Sequence, residues 1–261
     1  MKSSEIKTRT EGGILEVTID RPKANAIDLE TSRVMGDVFA GYRDDPNLRV
    51  AIITGGGDKF FCAGWDLKAA ADGDAVDGDY GVGGFGGIQE LEDFNKPVIA
   101  AVNGICCGGG LELALCGDII ISADHARFAM PEIHSGTVAD AASIKLPKRI
   151  PYHIAMEMLL TGRWLDVTEA HRWGFVNEIT PADSLMERAW EVARLIESGP
   201  PLVYAAIKEI VREAEDMKFL DALRRITKRQ FRTVDTLYAS EDQLEGARAF
   251  AEKRDPVWKG K

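Results

Sequence analysis

Apolar residues alternate or cluster in five short stretches of the first half of the chain, and each stretch predicts a β-strand. Residues 14–20 alternate and are rich in β-branched side chains, whereas residues 49–54 are almost continuously apolar, as in a strand buried on both faces. The other strands are predicted at residues 98–103, 118–123 and 126–129. A helical pattern at residues 29–42, with Asp28 as its N-cap, separates the first two strands. This alternation predicts an α/β fold with a largely parallel sheet.

A polar stretch rich in glycine and aspartate, residues 72–87, interrupts this pattern. Loops of this length inside a compact domain are usually functional lids or disordered segments. We therefore predict a mobile cover near a ligand. The alternative is a surface insertion without a function, because long loops cost little stability.

The pattern becomes helical after Leu146 and Pro147. Helices are predicted at residues 153–161, 167–172, 185–198, 201–214, 218–236 and 241–253. We divide the chain into a core at residues 1–200 and a helical region at residues 201–261. We expect this second region to serve self-association, because apolar helix faces need a partner.

Composition and charge exclude several classes of protein. The chain has 261 residues, 45% of them hydrophobic, which is enough for a packed core, and a net charge of −10 without a basic patch for nucleic acid. No stretch has the apolar length of a membrane span, and the N-terminus lacks the apolar segment of a secretory signal. We predict a cytoplasmic protein that binds neither nucleic acid nor membrane.

The cysteines and histidines do not have the spacing of a metal site. No pair of cysteines is spaced as Cys-x-x-Cys, and the histidines are scattered, so we predict no metal and buried, reduced thiols at Cys62, Cys106, Cys107 and Cys116. A nucleophilic Cys107 is an alternative, although no histidine stands near it in sequence to activate it.

The residue pattern with the clearest chemical meaning is a run of three glycines followed by acids. Gly108 to Gly110 lie between a predicted strand and a helix, Glu112 follows within one turn, and Glu132 comes twenty residues later. Glycines let a backbone N–H face a ligand oxygen, and a carboxylic acid beside it suits proton transfer next to a carbonyl. The alternative is a turn that packs the helix tightly on the strand.

Several short motifs, taken in order, resemble the crotonase (enoyl-CoA hydratase/isomerase) superfamily. They lie at residues 20–26, 61–67, 96–104, 108–112, 118, 128–132, 160–163, 169–170 and 173–177. Each motif is weak alone, but together they cover essentially the whole chain. The resemblance implies a crotonase spiral of ββα units with a helical C-terminal trimerisation region, assembled as a trimer or a dimer of trimers.

The resemblance also implies roles for four residues. Two backbone N–H groups form an oxyanion hole in this family, and they match Trp65 and Gly109 here. Two fixed donors stabilise the enolate that forms when a thioester loses its α-proton. In hydratase members, two glutamates hold the reacting water, and they match Glu112 and Glu132. No permanently bound cofactor is implied, because coenzyme A is part of the acyl-CoA thioester substrate.

Coenzyme A and the acyl chain would need further contacts. For coenzyme A, the resemblance implies contacts at Lys23, Ala63 and Asp66, and at Phe250 and Lys253 of a neighbouring subunit. The candidate acyl-pocket residues are Phe85, His134 and Asp140. The sequence departs from the family's pattern at Ala139 and at Ala142-Ser143, where a proline and two glycines are usual. This departure bears on acyl specificity more than on reaction type.

The predicted function is therefore reversible addition and elimination of water on a short enoyl-CoA, a hydro-lyase reaction. Stretches at residues 21–28, 43–46, 49–55, 63–70 and 250–260 resemble a subgroup of dehydratases whose acyl group carries a trimethylammonium cation. Aromatic faces bind such cations, so the candidate contacts are Trp65, Tyr80 and Phe85. The alternatives are a general short-chain enoyl-CoA hydratase, an isomerase using Glu132 or Asp140, and a non-catalytic CoA-binding protein.

Overall fold

The computed structural model of the chain describes residues 5–75 and 77–261. Its strands are β1 (Ile6–Glu11), β2 (Ile14–Ile19), β3 (Val50–Gly55), β4 (Phe60–Cys62), β5 (Val98–Val102), β6 (Ile105–Cys107), β7 (Ile119–Ala123), β8 (Arg127–Ala129), β9 (Leu165–Asp166) and β10 (Glu178–Thr180). Its α-helices are α1 (Leu29–Asp44), α2 (Leu67–Ala71), α3 (Gly109–Ala114), α4 (Asp140–Arg149), α5 (Tyr152–Thr161), α6 (Val167–Trp173), α7 (Leu185–Glu197), α8 (Pro201–Glu213), α9 (Phe219–Thr227), α10 (Arg232–Ala239) and α11 (Asp242–Glu252). Short 3₁₀ helices lie at Phe85–Gly87, Pro131–His134 and Ala182–Ser184.

The central strands β3 and β5 of the larger sheet are buried on both faces, as their continuous apolar pattern predicts, whereas the edge strand β1 is largely exposed. The order of this sheet is β1-β2-β3-β5-β7-β10, and all neighbouring strands are parallel except β1 and β2. Alternate residues of β3 pack into two different hydrophobic cores, one on each face of the sheet. Ala51 and Ile53 pack in the core that includes α1, whereas Val50 and Ile52 pack in the core that includes α7. The sheet is thus a layer between helices.

The smaller sheet shows that the fold repeats a two-strand unit. Its order is β4-β6-β8-β9. The successive pairs β3–β4, β5–β6 and β7–β8 each give one strand to each sheet, and a helix follows the first two pairs. The strand-to-strand turns are tight, because a Cβ at Gly55 would lie 2.3 Å from the Phe60 carbonyl oxygen and one at Gly104 would lie 2.4 Å from that of Lys59. The predicted α/β fold of ββα units is confirmed by this arrangement.

The helical second half differs from the sequence prediction in two places. The helix predicted at residues 218–236 is wrong: the structure has two helices, α9 and α10, separated by a turn in which Arg229 has a φ of 53°. The stretch 140–149, for which the sequence pattern predicted no helix, forms α4. The turn lets α10 fold back on α8, so that Phe231 and Val234 pack with Ala206.

The C-terminal helices lie against the sheet layer through polar contacts. Lys208 Nζ donates to the Lys96 carbonyl at 2.8 Å, and Arg212 donates to Asn95 Oδ1 at 2.8 Å. On the outer side, Val211 is 65% exposed and Phe219 is 77% exposed. Such an apolar surface is what self-association would cover. The division at residue 200 and the trimeric assembly stay predictions.

The helices also bear on whether the described part of the chain crosses a membrane. Within residues 5–75 and 77–261, none of them combines the length and the apolar character that a bilayer crossing requires.

Candidate active site

One cavity of about 380 Å³ lies where α3, α4 and the 72–87 segment meet. Glu112, Glu132, Trp65 and Gly109 all line it. These are the four residues to which the sequence assigned acid–base and oxyanion roles, and they come from three parts of the fold, because Gly109 and Glu112 both lie in α3. The remaining lining residues are Asp77, Gly78, Tyr80, Phe85, Gln89, Glu90, Thr137, Val138 and Asp140.

The glycines of the site permit two chain segments to touch. A Cβ at Gly64 would lie 2.8 Å from the Gly109 nitrogen, and one at Gly110 would lie 2.1 Å from the Cys62 carbonyl oxygen. Gly64 and Gly108 also have φ angles of 89° and 57°, which side chains disfavour. Any larger residue would therefore push the 62–65 segment away from the start of α3. The turn's packing role and its proposed chemical role need the same glycines.

This contact places two main-chain donors beside the cavity. Ile27 uses its N–H and C=O to bind Gly64 and Asp66, on either side of Trp65, so the Trp65 N–H points the other way. Gly109 is the first residue of α3, where an N–H has no intrahelical acceptor. Within the described residues, neither N–H donates to a protein acceptor. Two such fixed donors suit a developing oxyanion.

Phe85 closes one side of this donor pair. A Cβ at Gly109 would lie 2.5 Å from Cε1 of the Phe85 ring, so the ring rests directly on the Gly109 backbone. Phe85 is held there because the glycines around it are buried against α1, where a Cβ at Gly87 would meet the Gly36 nitrogen at 2.2 Å. The end of the predicted cover is thus packed in place beside the donors.

Glu112 is a buried acid held by hydrogen bonds. It is 5% exposed, and its Oε1 accepts the Ala142 N–H at 2.8 Å. That N–H belongs to the first turn of α4, where donors otherwise lack partners. Oε2 accepts a long hydrogen bond of 3.4 Å from Gln89. Burial raises the pKa of Glu112, while the Ala142 N–H opposes that rise by stabilising the charged form.

Glu132 has a different environment on the same cavity. It lies in the short helix Pro131–His134, and its Oε1 is 2.9 Å from the position of a Cβ on Gly108. Its Oε2 is buried and, among the described residues, has no hydrogen-bond partner. Burial, with a contribution from the charges of Glu112 and Asp140, raises the pKa of Glu132 to about 7. This carboxyl group can therefore carry a proton at neutral pH.

The two carboxyl groups can thus hold opposite protonation states. Glu112 accepts the Ala142 N–H, which favours its ionised form, whereas burial and the charge of Glu112 outweigh the one backbone N–H that favours ionised Glu132, and Oε2 of Glu132 has no partner among the described residues. Environments that separate two carboxyl pKa values assign one group as base and the other as acid. Chemically, the cavity can bind an oxyanion, take a proton from one atom and give a proton to another.

The predicted acyl-pocket residues are not all in one place. Phe85 and Asp140 line the cavity. His134 does not: its Nε2 is 2.7 Å from the position of a Cβ on Gly162, at the end of α5. Asp77, Gly78 and Tyr80 of the predicted cover also line the cavity, which agrees with a cover near a ligand. Its mobility stays a prediction, and residue 76 lies outside the described residues.

The predicted coenzyme A contacts are spread over the surface and one buried ion-pair cluster. Lys23 is exposed, and Phe250 is 88% exposed on α11, with exposed Lys253 just after that helix. Ala63 donates its N–H to the Ala24 carbonyl at 3.0 Å. The Asp66 side chain is used within the protein: it caps α2 and pairs with Arg21 at 2.6 Å. The Asp66 backbone is also used, because its N–H donates to the Ile27 carbonyl and its carbonyl accepts the Ala70 N–H, both at 2.9 Å.

Three thiols, those of Cys62, Cys106 and Cys107, are buried as predicted, whereas Cys116 is half-buried rather than buried. All four cysteines are free, and burial raises the pKa of Cys62 to about 12 and that of Cys107 to about 11. A thiol that stays protonated is a poor nucleophile, which argues against covalent catalysis by Cys107. Across the part of the chain that is described, no group of three or more acids, cysteines and histidines is arranged to hold a metal ion.

Sequence reasoning missed two partners of Glu112. Gln89 stands just after the predicted cover, and Ala142 lies in the segment that departs from the family pattern. The Ala142 contact is made by the backbone, so no side-chain motif could reveal it. A helix predicted to begin at residue 140 would have been a signal, but the sequence pattern predicted none there.

Comparison with known proteins connects this geometry to a family. The family model described as enoyl-CoA hydratase/isomerase matches residues 9–261. The chain belongs to the enoyl-CoA hydratase/isomerase family. A crystal structure of an enoyl-CoA hydratase from Mycobacterium tuberculosis H37Rv has a TM-score of 0.89 and 39% identity, covering 98% of this chain and 99% of that one.

Named relatives within the family confirm the predicted subgroup resemblance. A protein of Citrobacter koseri called carnitinyl-CoA dehydratase is 53% identical over 260 residues, which is 99% of this chain and 100% of that protein. A protein of the same name from Salmonella arizonae is 54% identical over 259 residues, 99% of each chain. This identity of 53–54% covers both the sheet-containing first half and the helical second half of the chain.

Proposed function

We propose that this family member is a hydro-lyase that converts carnitinyl-CoA to crotonobetainyl-CoA and back. The observation that carries the proposal is that Glu112, Glu132 and the N–H groups of Trp65 and Gly109 meet at one cavity. The relatives named carnitinyl-CoA dehydratase support the choice of acyl group. The substrate is an acyl-CoA thioester, and coenzyme A is not a permanent cofactor.

In the hydration direction, the thioester oxygen accepts hydrogen bonds from the Trp65 and Gly109 N–H groups. Ionised Glu112 takes a proton from water as the water oxygen attacks the β-carbon. Negative charge moves to the thioester oxygen, where the two donors stabilise it. Protonated Glu132 then gives its proton to the α-carbon. Dehydration reverses each step, so Glu132 must then be ionised and Glu112 protonated.

The same proposal covers the coenzyme A contacts, the acyl pocket and the location of the protein. Coenzyme A would lie along the 63–66 backbone near Lys23, with Phe250 and Lys253 reaching it from a neighbouring subunit of a trimer or a dimer of trimers. Phe85 and Asp140 would border the acyl group. We place the protein in the cytoplasm, as its sequence led us to expect.

The test supplies crotonobetainyl-CoA or crotonyl-CoA in water labelled with heavy oxygen. We expect the product to gain a hydroxyl group carrying the label, with crotonobetainyl-CoA the better substrate. A product of unchanged mass with a moved double bond would instead identify an isomerase. Preference for crotonyl-CoA would favour a general enoyl-CoA hydratase, a second candidate that the 39% identity to the Mycobacterium tuberculosis enzyme supports.

A further inference from the structure

The charge of the cavity lining is one-sided. Five of the lining residues are acids, whereas none of the lining residues in the described part of the chain is a lysine, an arginine or a histidine. Glu112 and Glu132 account for the acid–base chemistry. The other three acids are Asp77, Glu90 and Asp140, and the proposed chemistry gives none of them a proton-transfer role.

Asp140 is the acid of the three that acts on the most groups in the cavity. Its charge contributes to the raised pKa values of Glu112, Glu132 and Tyr80. Its own Oδ1 accepts only the N–H of Ala141, at 3.0 Å, and within the described residues it forms no ion pair. The cavity thus holds a carboxylate that no protein cation neutralises.

The nearby lysine does not fill this role. Lys145 slightly opposes the rise in the pKa of Glu112, but its ammonium group is directed to Cys116 Sγ at 2.9 Å. Lys145 is also absent from the cavity lining. A cation that enters with the substrate would therefore meet uncompensated negative charge.

Aromatic rings extend from the oxyanion donors along the cavity wall. Phe85 rests on Gly109, and the Tyr80 ring packs edge-on against Phe85 with 5.7 Å between their centroids. An acyl chain with a trimethylammonium group on its fourth carbon places the nitrogen about 5 Å from the thioester carbon. With the thioester oxygen at Gly109 and the acyl chain directed along this wall, the nitrogen would lie beside the Phe85 ring, against which Tyr80 packs. Aromatic faces favour quaternary ammonium groups.

We propose that Asp140, together with the rings of Phe85 and Tyr80, forms a recognition site for the quaternary ammonium group of the acyl chain. The proposal rests on the proposed function for the direction in which the thioester lies. Asp140 supplies long-range charge, and the rings supply a contact surface that does not need a hydrogen-bond donor. Neutral acyl chains would gain neither interaction.

Binding of unreactive thioesters tests the site without requiring catalysis. Calorimetry would compare saturated trimethylammoniobutyryl-CoA with its carbon isostere, in which a tert-butyl group replaces the trimethylammonium group. We expect the wild-type protein to prefer the cation by about tenfold or more. Asp140→Asn should reduce that preference severalfold while leaving the affinity for the isostere nearly unchanged. Asp72→Asn removes the same charge from an exposed loop outside the cavity and should change neither affinity.

A second variant keeps the ring contribution open to test. Tyr80→Leu retains apolar surface but removes the aromatic face. It should therefore also weaken binding of the cationic thioester more than binding of the isostere. Equal affinity of the wild-type protein for the two thioesters would overturn the proposal, and so would an equal loss for both in Asp140→Asn. Cation preference without any hydration of crotonobetainyl-CoA would uphold the site and refute the proposed function. Hydration without cation preference would do the reverse.

Discussion

Removing the carboxyl group of Glu132 should change the stability of the fold in a pH-dependent way. Its pKa is raised from 4.5 to about 7 by burial and nearby charge. A carboxyl group whose pKa is higher in the folded state than in the unfolded state opposes folding once it ionises. This penalty is absent below about pH 4, grows between the two pKa values and is constant above about pH 7. Glu132→Gln cannot ionise and escapes it.

The expected size follows from the shift. A change of this extent corresponds to about 3 kcal/mol, which partial exposure of the side chain reduces to about 2 kcal/mol. Urea unfolding at about pH 4 and pH 8 would measure it for the wild-type protein and Glu132→Gln. The free energy of unfolding of the variant minus that of wild type should be about 2 kcal/mol larger at the higher pH, so that the variant is relatively more stable there.

A matched acid separates this effect from general charge removal. Glu187 is exposed in the first turn of α7, away from the cavity, so Glu187→Gln should show nearly the same difference from wild type at both pH values. If Glu132→Gln behaves like Glu187→Gln, the raised pKa of Glu132 and the acid role derived from it are both refuted.

Three further predictions follow from the site and its support. Initial rates of hydration and of dehydration should both fall as pH rises through about 7, because each direction needs one proton on the pair, on Glu132 for hydration and on Glu112 for dehydration; rates that stay high above that pH in either direction would contradict this assignment. Gly109→Ala places a Cβ 2.5 Å from the Phe85 ring, so the Gly109 N–H should shift and turnover should drop at least about tenfold, with the circular dichroism spectrum unchanged. Normal turnover would show that the Gly109 N–H can move without loss of function. Arg21→Ala removes the cation that Glu5, Asp28 and Asp66 share, so the free energy of unfolding measured by urea titration should fall by about 3 kcal/mol. A loss below about 1 kcal/mol would contradict a structural role for Arg21.

The central strands of the larger sheet, β2, β3, β5 and β7, were predictable because their side chains record burial, whereas β1, which is largely exposed, and the three-residue β10 were not predicted. Val50–Gly55 and Val98–Val102 are buried along their whole length, and the sequence shows this as continuous apolar runs. In the smaller sheet only β8 was predicted, at residues 126–129. Its strands have two or three residues, as in Phe60–Cys62, which is too short for a period to be visible. Their pairing is set by the turns at Gly55 and Gly104 and by packing across the chain.

The break between α9 and α10 could not be predicted from the sequence for a related reason. Residues 228–231 contain neither glycine nor proline, and the turn depends on Arg229 adopting a φ of 53°. Packing of Phe231 against Ala206 favours the turn, because it brings an apolar face of α10 onto α8. Tertiary burial thus overrides a helical pattern that is continuous in the sequence.

The candidate site was predictable where glycines and acids carry chemistry, and not where the backbone does. Gly109, Glu112 and Glu132 stand in recognisable motifs, and the structure brings them to one cavity. The hydrogen bond from the Ala142 N–H to Glu112 arises only because α4 begins at residue 140. The environments that distinguish the two acids are therefore tertiary, although the acids themselves can be read from the sequence.

Turnover of crotonobetainyl-CoA by Glu112→Gln, Glu132→Gln and the double variant tests the central claim most directly. If the two carboxyl groups act as one acid–base unit, each single change should lower kcat by about 10²-fold or more, and the double change should cost far less than the product of the two losses. Near-normal kcat in either single variant would show that water is added or removed without that carboxyl group.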